Sequence, residues 1–273
     1  MGVLNVTPDS FSDGGAYPTV ADAVARARRI VAEGAAIIDV GGESTRPGAD
    51  AVDLDTELAR VVPVIEAIVA DADCAGVPVS VDTRRGEVAT AAVAAGATVI
   101  NDVGASLWEV AAETGAGWVA LHMAGQPATM QDAPSYIDVV GEVTEFLVER
   151  AATARRAGVE EVWIDPGIGF GKTLDHNLTL LAAVPELTAT GYPVLLGTSR
   201  KASMGILNAR RADAGAPGLP RRDRTEVDDR LEASIATATW AMWCGADIVR
   251  VHDVRAHVHA AKVVAGSIVA TAA

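Results

Sequence analysis

Eight short apolar runs recur along this chain, each closing on a polar side chain and most followed by a turn-rich stretch. They occupy residues 3–6, 36–40, 78–81, 98–100, 117–121, 162–164, 193–196 and 246–249. Runs of this length without polar alternation are the pattern of parallel strands covered by helices. Helical spacing appears between them. Val20, Val24 and Ala27, then Val31, share a side over 20–33, and helices are expected around 55–70, 86–95, 200–207 and 226–243. Gly34, Gly96, Gly115 and Gly245 stand just ahead of four runs, where each can end a helix in the left-handed conformation. Eight strand-plus-helix units in 273 residues predict an α/β fold, a single-domain (β/α)8 barrel of the TIM type over residues 1–273. A doubly wound open sheet is the runner-up. No pair of adjacent halves with separate ligand loops is visible, which favours closure. Residues 208–226, rich in Ala, Gly, Pro and Arg, are expected to form an exposed or disordered loop within that domain.

Charge narrows the function classes. With 22 basic and 36 acidic residues the formal charge is −14, which argues against a sequence-independent grip on nucleic acid or an acidic membrane. No apolar stretch is long enough to span a bilayer, and Met1 leads directly into a strand-like run with no visible signal peptide. Cys74 and Cys244 are far apart without metal-ligand spacing, as expected for free thiols. A cytoplasmic protein is the expectation.

The loop after the sixth run is the most distinctive stretch, Ile164-Asp165-Pro166-Gly167-Ile168-Gly169-Phe170-Gly171-Lys172. It places a carboxylate at a strand's carboxyl edge beneath a glycine-rich loop. It is not a phosphate-cradling P-loop, because Pro166 stands where the first glycine belongs. Nor is it a dinucleotide fingerprint, because Lys172 stands where the last glycine belongs.

In a closed barrel, the residues at the carboxyl ends of the strands meet at one mouth. Asn5, Asp82, Asn101, His122, Asp165, Lys201 and Arg250 are each the first strong polar group after an apolar run. Any one of them is accounted for as a loop-starting cap. Seven at equivalent positions, mixing carboxylates, amides and cations, are not. Carboxylates and amides suit a flat heterocycle with alternating donors and acceptors, and an arginine can stack on such a ring. Lys201 and His252, with backbone N–H groups after the seventh and eighth strands, occupy the usual phosphate position of such barrels. The ligand implied is a heteroaromatic ring carrying phosphate. A hydrolytic zinc site is disfavoured: the first strand offers only Asn5, and His257 and His259 fall on different faces of the last helix. No serine sits in a G-x-S-x-G elbow.

Two long segments carry a resemblance. Leu4-Asn5-Val6-Thr7-Pro8-Asp9-Ser10-Phe11-Ser12-Asp13-Gly14-Gly15 and Gly41-Gly42-Glu43-Ser44-Thr45-Arg46-Pro47-Gly48 resemble the signature loops of the dihydropteroate synthases. The likeness continues through Asp82-Thr83, Asn101-Asp102, His122-Met123, 165–172, 197–201 and 250–253. It implies a barrel enzyme that joins 6-hydroxymethyl-7,8-dihydropterin diphosphate to p-aminobenzoate in folate biosynthesis and is the target of sulfonamides. By matching motif, Asp82, Asn101, Asp165 and Lys201 would hold the pterin. Thr45, Arg250 and His252 would contact the diphosphate or its neighbourhood. Asn5 would meet a Mg2+ ion that escorts the diphosphate. Phe11, Pro47, Phe170 and Ser199 would border the p-aminobenzoate slot, and Lys201, Asp82 and Asp9 would carry the catalytic weight. A homodimer is likewise implied. Two alternatives stand beside this: a methyltetrahydrofolate-dependent methyltransferase, which would not need 7–15 or Ser199-Arg200-Lys201, and a degenerate pterin-binding paralogue, which should have lost its loop motifs. Against the family's pattern, the connection from Asn101 to His122 is shorter than expected.

Overall fold

The computed structural model describes residues 1–7, 19–44, 51–215 and 226–272 of the chain. All eight expected strands are present: β1 Gly2–Asn5, β2 Ile38–Gly41, β3 Val79–Thr83, β4 Val99–Asp102, β5 Gly117–Leu121, β6 Val162–Asp165, β7 Leu195–Leu196 and β8 Ile248–Val249. β1 through β6 form one parallel ladder in chain order, and β7 pairs with β8. Two parallel bridges, Gly2 to Val251 and Ile164 to Val194, join the pieces at both edges. The Val3 N–H donates to the Val251 carbonyl at 2.9 Å and the Ile164 N–H to the Pro193 carbonyl at 2.9 Å. The barrel is therefore closed, and among the described residues no strand is left with an unpaired edge.

Ten helices lie outside the strands in the described residues: α1 Val20–Ala32, α2 Leu54–Val69, α3 Gly86–Ala94, α4 Trp108–Thr114, α5 Val139–Arg156, α6 Leu174–Ala182, α7 Val184–Thr188, α8 Ala202–Gly215, α9 Leu231–Trp243 and α10 Val254–Ala272. Local chemistry sets several starts. Thr19 and Asp22 form a capping box on α1, and the Asp53 and Thr173 side chains cap α2 and α6. The four glycines expected to end helices all have left-handed φ, between 72° and 110°. The short Asn101-to-His122 connection is explained by α4, a helix of only seven residues.

Two expectations change. The helix predicted at 200–207 continues through Gly215, so residues 208–215 are helical rather than loop. Alanine and arginine propagate it, and no proline interrupts before Pro217. Residues 216–225 lie outside the described residues. The long helix expected from 226 starts later: a 3-10 turn over Val227–Arg230, kinked at Asp229, precedes α9.

Alternation along the strands separates two cores. Ile38, Val40, Val81, Ile100, Trp118, Ala120, Ile164 and Leu196 pack outward with the helices. Val99, Val119 and Leu195, with Trp163 and Ile248, form a separate cluster that fills the barrel interior. Asp39, Asp82, Asn101 and Asp165 sit next in sequence to outward-facing residues and so point inward. Pairing register lines up Asn5, Gly41, Asp82 and Asn101 as one tier across four strands.

Candidate active site

The inward carboxylates are held by one guanidinium. Arg250, just past β8, donates from Nε to Asp39 Oδ2 at 2.6 Å and from a terminal nitrogen to Asp82 Oδ2. Asn101 Nδ2 donates to Asp39 Oδ2 at 3.3 Å. Two acceptors are left over. Asp82 Oδ1 and Asn101 Oδ1 are buried and meet no donor in the described structure. Asp165 Oδ1 accepts from the Gly167 N–H at 2.7 Å. Lys201 enters from the β7 side, with its ammonium 4.1 Å from the centre of the Phe170 ring. Asp82, Asn101, Asp165, Lys201 and Arg250 share one narrow cleft, walled by Val103, Leu121, Ile168 and Phe170. A wider cavity of about 410 Å³ opens between α1 and α10, but it lies apart from these groups. The convergence of polar groups, not the cavity volume, marks the functional site.

Burial dominates the electrostatics. It pushes the Asp82 carboxyl up to about 7 against the pull of Arg250, and the Asp165 carboxyl up to about 6 against the Gly167 N–H. It brings the Lys201 ammonium down to about 8, with Arg250 adding to the effect. Burial would also lower Arg250, but Asp39 and Asp82 outweigh it and hold the guanidinium charged. Perturbed groups of both signs in one cleft are the electrostatic signature of a ligand site.

Around the cations, side chains set the geometry. Arg200 has φ +58°, a left-handed conformation that costs a non-glycine residue energy. It is held by Asp253, through Nε–Oδ2 at 3.0 Å and a second contact at 2.6 Å, and by the Ser234 hydroxyl, which accepts its N–H at 2.9 Å. The His252 N–H donates to Ser199 Oγ at 3.1 Å, and the imidazole Nδ1 lies 3.0 Å from the same oxygen. Burial, then Arg250 and Arg200, lowers His252 to about 3, so its imidazole is neutral at pH 7.

Of the residues singled out from sequence, Asp82, Asn101, Asp165, Phe170, Lys201 and Arg250 share the cleft, and Ser199 and His252 are bonded to each other beside it. His122 belongs elsewhere: it is buried, with Nδ1 2.9 Å from Lys172 Nζ, and burial lowers it to about 3. Asp9, Phe11, Thr45 and Pro47 lie outside the described residues. Asn5 stands at the end of β1, its Oδ1 beside Gly41 on the tier of Asp82. Among the described residues no group of three or more His, Cys, Asp or Glu side chains is placed to hold a metal. A single amide oxygen fits a hard cation that brings its own phosphate and water ligands, not one caged by the protein.

Sequence reading missed Asp39. Its signal was available: a carboxylate inside the apolar run 36–40, which alternation puts in the interior, where a charge needs a partner. It also missed the ion-pair network beside the mouth, in which Arg84 and Arg85 contact Glu43, and Arg85 and the Thr83 hydroxyl contact the fully buried Glu57.

Fold and cleft together define a barrel enzyme built to bind a planar, hydrogen-bonding ring. The match to known proteins agrees: residues 1–252 fit the family described as pterin binding enzyme, and the chain belongs to that family. Within it, the similarity is to dihydropteroate synthases. The Mycobacterium leprae dihydropteroate synthase is 47% identical, over 97% of this chain and 91% of the relative. The Escherichia coli K12 dihydropteroate synthase is 45% identical, over 97% and 89%. Among solved structures, Xanthomonas albilineans dihydropteroate synthase with 4-aminobenzoic acid superposes with a TM-score of 0.85 at 46% identity, covering 98% of this chain and 92% of that one. The Yersinia pestis dihydropteroate synthase with a sulfonamide drug complex also gives 0.85, at 41% identity, covering 98% and 93%.

Proposed function

We infer that this chain joins 6-hydroxymethyl-7,8-dihydropterin diphosphate to p-aminobenzoate, forming 7,8-dihydropteroate and diphosphate in folate biosynthesis. The observation that carries this reading is the pair of buried acceptors, Asp82 Oδ1 and Asn101 Oδ1, left without donors. Buried acceptors are rarely left unpaired, and a pterin edge presents N–H donors. Asp165 accepts from the amino-pyrimidinone edge, and Lys201 donates to the ring's acceptors. Arg250 pairs with both Asp39 and Asp82, and its charge opposes the upward push of burial on the Asp82 carboxyl.

In the reaction the bond from the exocyclic methylene to the diphosphate oxygen breaks and a bond to the arylamine nitrogen forms. The nitrogen then gives up a proton. The electron-rich ring spreads the positive charge that develops on the methylene. The departing anion lies toward His252 and the N-terminal turns of α8 and α10, where the positive ends of the helix dipoles stabilise negative charge. Asn5 would hold a Mg2+ ion, which when bound with the diphosphate would supply further charge stabilisation. Phe170 and Ser199 border the p-aminobenzoate slot. By their motifs alone, Phe11 and Pro47 are assigned to binding the arylamine, Thr45 to binding the diphosphate and Asp9 to catalysis.

The chain acts as a homodimer in the cytoplasm. Trp240 and Trp243, about half exposed on α9, support self-association, as such surface is commonly covered by a partner. Among the described residues no helix is long and apolar enough to cross a membrane. The deciding experiment measures diphosphate release from the dihydropterin diphosphate with and without p-aminobenzoate. Arylamine-dependent release with pteroate formation supports the synthase. Tight pterin binding without turnover would leave a degenerate binding protein.

A further inference from the structure

The glycine loop after β6 ends in a lysine outside the substrate cleft. Lys172 is 2% exposed. Its ammonium has three hydrogens and three acceptors: His122 Nδ1 at 2.9 Å, the Phe170 carbonyl at 3.0 Å and the His122 carbonyl at 3.3 Å. The rest of the loop is tied as closely. The Gly169 N–H donates to Asn177 Oδ1 at 2.7 Å, Gln131 donates to the Gly169 carbonyl at 2.6 Å, and the Tyr136 hydroxyl donates to the Gly171 carbonyl at 3.0 Å. A Cβ on Gly167 would collide with the His122 carbonyl, and one on Gly171 with the Ala124 carbonyl. The loop is thus pressed edge-on against the segment that follows β5. Phe170 leaves it for the mouth, and its ring lies under the Lys201 ammonium at 4.1 Å.

We propose that Lys172 is a positioning residue for the transfer reaction. By binding the Phe170 carbonyl and the end of β5 together, it fixes the Phe170 ring against Lys201 and thereby shapes the arylamine slot. This rests on the synthase reading given above. Lys172 touches no substrate. Burial brings the Lys172 ammonium down to about 7, and an apolar side chain in its place would leave two carbonyls and an imidazole nitrogen without donors in a buried site.

The test is a double-mutant cycle of Lys172→Met and Phe170→Leu, reading KM for p-aminobenzoate, kcat and pterin affinity by calorimetry. Lys172→Met alone is expected to raise the arylamine KM about tenfold, with pterin affinity changed less than about threefold. In the Phe170→Leu background it should add less than about twofold, because both changes remove the same positioned ring. Multiplicative effects in the double variant would overturn the proposal, as would a wild-type arylamine KM in Phe170→Leu. If Lys172→Met does not fold, Tyr136→Phe, which loses one tie on the same loop, replaces it in the cycle, with a KM rise of about threefold that vanishes beside Phe170→Leu. Absence of pteroate formation by the wild type would instead refute the synthase reading, so the two failures are distinct.

Discussion

The two halves of the mouth are built by different means. The acceptor half, Asp39, Asp82, Asn101 and Asp165, sits on β2, β3, β4 and β6, strands of four or five residues within one continuous ladder. Backbone register alone sets the spacing of these side chains. The other half, the cations Lys201 and Arg250 with the neutral His252, follows β7 and β8, strands of only two residues. There the placement depends on side-chain ties: Arg200 to Asp253, Ser199 to His252 and Ser234 to Arg200. A ring needs acceptors at fixed separations, which a ladder provides. A leaving anion needs charge that tolerates adjustment, which a loop braced by side chains provides.

The strongest way to break this contrast is to remove the group that links the halves. Arg250→Met strands Asp39 and Asp82 as unpaired buried carboxylates and should destabilise the fold by about 3–5 kcal/mol. Urea unfolding measures this, and a loss under about 1 kcal/mol would show that the halves are independent. Next is Asp165→Asn, within the rigid half. It should weaken pterin binding about a hundredfold, some 3 kcal/mol, in calorimetry. The same change should leave the unliganded protein at least as stable at pH 7. The sign follows from linkage: the folded carboxyl titrates near 6, above its ordinary value, so ionising it opposes folding as pH rises through that window. A drop in melting temperature with unchanged pterin affinity would reverse the assignment.

A smaller effect is expected from pH. The free enzyme needs Asp82 and Asp165 ionised and Lys201 protonated. The kcat/KM for the pterin diphosphate should therefore fall below about pH 6–7, where the carboxyls take up protons, and again above about 8, where Lys201 loses one. A flat profile between pH 5 and 9 would remove these groups from substrate binding. The smallest expected effect is Asp253→Ala in the braced half. That pair is partly exposed, so solvent screening limits it to about 1 kcal/mol, a few-fold in kcat/KM with pterin affinity nearly unchanged. Equal loss of pterin affinity would show that the braces also hold the ring.

Legibility in the sequence followed the same division. Each of the eight strands was visible because a buried parallel strand must be an unbroken apolar run. Asp82, Asn101 and Asp165 were visible because each ends such a run. Asp39 was hidden because it interrupts a run, and only the alternation of faces shows that it points into the barrel toward Arg250. His122 stood in a rim position by sequence, yet its ring turns to Lys172, a partner 50 residues away. Helix α8 ran past its expected end because local composition suggested a loop while its alanines and arginines sustained the helix.

What the sequence by itself determined is the strand count and the polar residues at the carboxyl edge, since these follow from periodicity and from where apolar runs stop; closure it only favoured, and the bridges from Gly2 to Val251 and from Ile164 to Val194 decided it. Only the tertiary structure decided which of those residues face one another, which carboxylates a single guanidinium neutralises and which acceptors remain open for a ligand. Pairing between Asp39 and Arg250 spans 211 residues. No local pattern encodes such a meeting, because it depends on barrel closure bringing the last strand back beside the first.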